Sequence, residues 1–134
     1  MKEKEVRKML AEIFTEKPDA PICDIPGFFQ PIIEEAKELG LTWFPKMFVE
    51  EIAVEFTGRL DLNSFNEPVI IVAHFFKFVG AHERSVEKMQ KTLAHELGHC
   101  FHMEQFGFNI ESWGWKNCEA FAEAFAENII QNIN

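Results

Sequence analysis

Two histidines four residues apart, with a glutamate directly after the first, stand in the run Thr92-Leu93-Ala94-His95-Glu96-Leu97-Gly98-His99-Cys100-Phe101-His102. On an α-helix, residues i and i+4 share one face, with Cβ atoms about 5–6 Å apart. Both imidazoles then reach one divalent ion at about 2.0–2.1 Å without bending the helix. Glu96 is left beside that ion as a base for water while the histidines hold it. A pattern with two open positions also arises by chance on a surface helix, so its weight depends on its surroundings.

Three features of the surroundings favour chemistry. At 100° per residue, Val86, Met89, Leu93, Leu97, Cys100 and Phe101 form one apolar stripe, and His95 and His99 fall on the opposite side. Such a helix suits a wall between a core and a cleft. A second helical pattern opens at Asn117-Cys118-Glu119-Ala120-Phe121-Ala122-Glu123. On it Glu119, Glu123, Ala126 and Ile130 share one face, and Phe121, Phe125 and Ile129 the other. A catalytic zinc takes three protein ligands and keeps one position for water, a set that His95, His99 and Glu119 supply. Metal-bound histidines also give their second N–H to a carboxylate or carbonyl, and Glu123, one turn beyond Glu119, is placed for that.

His-Glu-x-x-His followed by a glutamate inside Asn-x-Glu-Ala-x-x-Glu resembles the gluzincin zinc metallopeptidases. The resemblance implies zinc ligation by His95, His99 and Glu119, general base and acid work by Glu96, and support of a ligand histidine by Glu123. The small size is similar to the minimal gluzincins and, more loosely, to metallopeptidase-like domains of bacterial and phage regulators. The specific motifs cover residues 92–130; upstream the similarity is one of layout. The chain departs from the pattern in having no Tyr, a residue that many members use, as they do His, at the oxyanion. His74, His82 and His102 remain for that role, and the sequence does not choose among them. His102 lies seven residues after His95, an axial offset of about 10.5 Å, too far for all three histidines to meet one tetrahedral ion. It reads as a cleft-wall or surface residue.

The elements that must position these groups fit one domain of 134 residues, 47% of them hydrophobic, which excludes a disordered chain. Its 15 Phe belong largely in a core. A net charge of −9 argues against nucleic acid and anionic membranes as partners. No apolar run approaches the roughly 20 residues of a membrane span, and the charged start Met1-Lys2-Glu3-Lys4-Glu5 shows no signal peptide. Cys23, Cys100 and Cys118 make no pairing framework, with Cys100 on the apolar stripe of the motif helix. A reducing, cytoplasmic setting is therefore expected.

In chain order, residues 2–14 read as an amphipathic helix carrying Val6, Met9, Leu10 and Ile13. Pro18, Pro21, Pro26 and Pro31 then leave little room for regular structure. Residues 1–27 are a possible extension or pro-segment in which Cys23 or Asp24 would occupy the open zinc position, as in a zymogen. Residues 28–134 are the expected catalytic core. A helix follows from Pro31 to Leu39, closed by Gly40. Ile52 to Thr57 alternates as a half-buried strand, Gly58 to Asn66 reads as a turn, and Val69 to Ala73 reads as a strand buried on both faces. Trp43 to Val49 adds an edge strand beside Pro45. His74 to Glu83 is a loop or strand end in which His74 and His82 read as ordinary polar residues. Ser85 caps a motif helix from Val86 to Glu104 that ends near Gly107. Trp113 and Trp115, in the connection, either shape a substrate pocket or, the favoured reading, seal the core, and the last helix spans Asn117 to Asn132.

The expected fold is α+β and zincin-like: a small mixed sheet packed on the motif helix, then a C-terminal helix bringing the third ligand. The expected function is zinc-dependent hydrolysis of a peptide or protein substrate. The alternative is a non-catalytic or latent zinc domain that binds a regulatory partner; retention of Glu96 favours catalysis, since a structural zinc needs no base.

Overall fold

A computed structural model describes residues 26–53, 56–62, 67–77, 81–83, 85–106 and 115–134. The expected helix over 2–14, the segment holding Cys23 and Asp24, Gly107 and Trp113 lie outside these residues.

A single 3₁₀ turn, Gly27–Phe29, leads into α1, Gln30–Glu38, with Pro31 in its first turn. Proline costs nothing there, because that N–H has no partner inside a helix. Ile32, Ile33 and Ala36 are its fully buried residues. Gly40 ends the helix at φ 108°, and Gly40 and Leu41 donate N–H groups to the carbonyls of Lys37 and Ala36. That pair of bonds satisfies the last-turn acceptors.

Strand β1, Lys46–Ala53, starts directly after Pro45 and pairs in parallel with β3, Pro68–Lys77. Strand β2, Gly58–Leu62, pairs antiparallel with the first half of β3, and β4, Ala81–Glu83, pairs antiparallel with its second half. Since β1 runs along one edge of β3, β2 and β4 share the other. The order β1-β3-β2 makes a mixed sheet with β3 in the middle, so the fold class is α+β. The continuous apolar run in β3 has this cause: Val69, Ile70, Val72 and Ala73 are all buried.

Two expectations along the sheet are corrected. The stretch from Gly58 was expected to be a turn, yet residues 58–62 form β2. Gly58 and Asp61 weigh towards a turn locally, but the edge of β3 offers a ladder, and Leu60 is fully buried as a result. The expected strand over 52–57 instead belongs to the end of β1, whose last residue is Ala53, while 54–55 lie outside the described residues. His74, expected in a loop or at a strand end, lies in the last part of β3.

Helix α2, Val86–Phe106, begins under Ser85. The Ser85 hydroxyl accepts the Lys88 N–H at 3.2 Å, and its carbonyl accepts the Met89 N–H at 3.0 Å. Helix α3 is Trp115–Ile133. Met47, Leu60, Ile70 and Val72 from the sheet join Leu93, Leu97 and Cys100 from α2, and Phe125, Ala126 and Ile129 from α3, in one hydrophobic cluster. The indole N–H of Trp43 donates to the Cys100 carbonyl at 3.3 Å and ties the approach to β1 onto α2.

The two-faced picture of α2 needs revision. Val86 is exposed and Phe101 half-buried, while Ala94, Glu96, Gly98, His99 and His102 are buried along with Met89, Leu93, Leu97 and Cys100. The supposed open face is covered by α3. On α3 the buried row is Cys118, Ala122, Phe125, Ala126 and Ile129, whereas Phe121 is only half-buried. Small side chains take the contact because the two helices come very close. A Cβ on Gly98 would lie 2.7 Å from both the Cα and the carbonyl oxygen of Ala122. Backbone atoms cannot rotate away, so a methyl group there forces the helices apart.

Overpacking of this kind costs about 1–3 kcal/mol. Gly98→Ala should therefore lower the melting temperature, whereas Gly27→Ala, with open space around the added methyl group, should leave it unchanged or slightly raised. Paired thermal melts followed by circular dichroism check both.

Candidate metal centre

His95, Glu96 and His99 sit in the middle of α2, and Glu119 lies one turn before Ala122 on α3. The close crossing at Gly98 therefore brings the carboxylate of Glu119 down onto the two imidazoles. Its Oε1 is 2.8 Å from His99 Nε2, and its Oε2 is 3.1 Å from His95 Nε2. The two Nε2 atoms are themselves 3.1 Å apart, with the rings almost perpendicular at 86°. His95, His99 and Glu119 thus each offer one donor atom to a common point. Ligands about 2.0–2.1 Å from a tetrahedral ion stand about 3.3 Å from one another, close to the spacing found.

The proton inventory points the same way. Glu123 Oε2 lies 2.9 Å from His95 Nδ1, so that nitrogen carries the hydrogen and donates it. His95 Nε2 faces a carboxylate oxygen and a second imidazole nitrogen at hydrogen-bonding distance. A proton or a cation among these three atoms relieves the repulsion of their lone pairs. A divalent ion satisfies all of them together, and the donor set of two imidazoles and one carboxylate suits Zn²⁺. The residues present therefore fit the metal. The Glu123 contact fixes the tautomer and orientation that ligation needs.

Access is one-sided. His99 is fully buried, while His95 and Glu119 keep 22% and 36% of their side-chain surface exposed, so the cluster opens towards solvent on their side. There a cleft of about 360 Å³ is lined by Thr57, Gly58, Lys88, Lys91, Thr92, His95, Glu96 and Glu123. Glu96 is only 3% exposed yet borders this space. A carboxylate so placed meets whatever enters the cleft while bulk water is held off. The wall opposite α2 is the start of β2, the stretch that read as a turn.

Other sequence candidates go elsewhere. His74 Nδ1, on β3, lies 3.6 Å from a carboxylate oxygen of Glu51 on β1 and does not line the cleft. His102 was expected in the cleft wall or on the surface, but it is buried between α2 and α3. Its ring packs on Phe106 and Phe121, and its Nδ1 is 3.5 Å from the Cys118 sulfur. Seven residues of helix turn His102 by 700°, about 20° short of His95's own direction, so the faces agree; α3 simply covers the C-terminal end. His82 is in β4. The lining residues Lys88, Lys91, Thr92, Thr57 and Gly58 were not singled out from sequence. For the first three the helical spacing was available: Lys88, Thr92 and His95 recur at four and three residues, and Lys91 precedes His95 by one turn.

No family model, curated protein or solved structure matches the chain.

Removing a carboxylate that orients a ligand histidine costs about 10–100-fold in metal affinity. Glu123→Ala should therefore weaken zinc binding by that factor, and Glu119→Ala by more, in a competition titration against a chromogenic chelator. Equal affinity in wild type and both variants would show that zinc binds elsewhere.

Proposed function

We propose that the chain is a zinc-dependent peptidase of the gluzincin kind, with a zincin-like arrangement of its α+β fold. The observation that carries this reading is the meeting of His95 Nε2, His99 Nε2 and the Glu119 carboxylate, all within 3.1 Å of a neighbour in the set, beside a cleft bordered by Glu96. His95, His99 and Glu119 would hold the ion. Bound zinc supplies Lewis acidity, lowering the pKa of water to about 7 and polarising a substrate carbonyl.

The rest of the chemistry belongs to the chain. Glu96 accepts the proton of the attacking water and delivers it to the departing amine. A carboxylate suits both steps because it keeps the proton close to the reacting atoms in between. Glu123 holds His95 in position throughout. An extended peptide would lie along the cleft, with the start of β2 offering main-chain groups to it. Among the described residues no helix is long and apolar enough to cross a membrane. Cys100 and Cys118 are both buried.

Glu96 separates this reading from that of a zinc domain that only binds a partner. A general base contributes about 10²–10⁴-fold to rate. Glu96→Gln should keep wild-type zinc stoichiometry and lose peptide hydrolysis by at least that factor, measured on a mixed peptide library by mass spectrometry. A zinc-loaded wild type that cleaves nothing in the library sinks the catalytic reading, while the metal reading stands on stoichiometry alone.

A further inference from the structure

The cleft beside the donor cluster is electrically lopsided. Its carboxylates, Glu96 and Glu123, gather at the metal end with Glu119 adjacent. Its other charged lining residues, Lys88 and Lys91, lie towards the start of α2. Lys91 precedes His95 by four residues and Lys88 by seven, about 6 Å and about 10.5 Å along the helix axis. The whole chain carries a net charge of −9, so two ammonium groups on one cleft wall run against the surrounding potential.

Lys88 also runs against a local rule. It occupies the first turn of α2, where the helix dipole disfavours a positive charge. Breaks with local preference are expected where a side chain serves a ligand. Lys91 has a carboxylate neighbour, Glu123 Oε1, at 3.9 Å and with 58% and 46% of the two side chains exposed. Such a pair is weak, and the ammonium group can swing to a nearer anion.

We infer that Lys88 and Lys91 are specificity-determining residues that select a carboxylate in the occupant of the cleft, about two to three residues from the bond held at the metal. The distance follows from a rise of about 3.3 Å per residue in an extended peptide. The carboxylate is an Asp or Glu side chain or the peptide's own C-terminus. An acidic peptide is thereby drawn to this place on an acidic protein. This rests on the peptidase reading for its substrate class, although the charge preference itself is read from binding.

The test uses the zinc-loaded 134-residue chain carrying Glu96→Gln, so that nothing is cleaved. Fluorescein-labelled hexapeptide pools, each with Glu, Gln or Lys fixed at one position, are made as free acids and as C-terminal amides. Anisotropy titrations should show the Glu pools binding about threefold to tenfold more tightly than the Gln pools at one or two positions, and the Lys pools more weakly. If the preference resides only in free acid over amide, the carboxylate is the C-terminus. Lys88→Gln should reduce the preference, and the double charge reversal Lys88→Glu with Lys91→Glu should turn it towards the Lys pools. Should the double variant fail to hold zinc at wild-type stoichiometry, Lys88→Gln carries the test alone. Equal binding of all pools, or a preference that Lys88→Gln leaves intact, overturns the inference. Failure of the peptidase reading is seen separately, as absent cleavage by the zinc-loaded wild type.

Discussion

Helices α2 and α3 touch backbone to backbone where Gly98 meets Ala122, and the donor cluster depends on that contact. Glu119 lies one turn from Ala122, and His95 and His99 flank Gly98. Were the helices held at the usual 8–10 Å by larger side chains, a glutamate on one would reach the histidines of the other only by extending. The closeness also explains the composition of the buried row on α3, where Cys118, Ala122 and Ala126 stand in place of larger residues. Gathering the donor atoms and packing the helices therefore make the same demand on one pair of helix faces.

The price of that packing is a crowd of polar groups in a poorly solvated place. His99 is fully buried and Glu96 nearly so. Buried polar groups are tolerated where they are satisfied, and a half-satisfied set is worse than an apolar core. Glu123 settles one nitrogen of His95, and Glu119 places one oxygen against each imidazole. A divalent cation completes the set, so metal binding would add to folding stability as well as to chemistry. His102 and Cys118, lower in the same helix interface, meet each other instead and are enclosed by Phe106 and Phe121.

The sheet contributes from the other side. Parallel β1 and antiparallel β2 flank β3 and present Met47, Ile70, Val72 and Leu60 to the helices, which fixes α2 against a rigid surface. The start of β2 packs against Thr92 and lines the cleft together with Lys91. The main-chain bond from Ala73 N–H to the Thr57 carbonyl, 2.9 Å long, anchors that wall to the central strand. A cleft built between a helix and a strand start is bordered by backbone on one side and by long charged side chains on the other. That arrangement would let main-chain contacts and charge act on the same extended occupant.

Periodicity and spacing alone determined the two histidines on one helical face, the glutamate between them, the second helix with its two glutamates, the cap at Ser85 and the stop at Gly40. These are local properties, set by 3.6 residues per turn and by which backbone groups a turn leaves unpaired. The apolar run of β3 was legible for a similar reason, since a strand covered on both faces has no polar alternation to hide it. Only the tertiary structure decided that 58–62 is a strand, because its ladder partner is a distant segment and Gly58 and Asp61 favour a turn on their own. It alone buried His102 and His99, half-exposed Phe121, and gave the α3 interface to small residues, because a helix's inward face is chosen by what packs on it. The lysines of the cleft became visible last: a charged side chain on a helix looks like any solvated residue until the wall opposite it is in place.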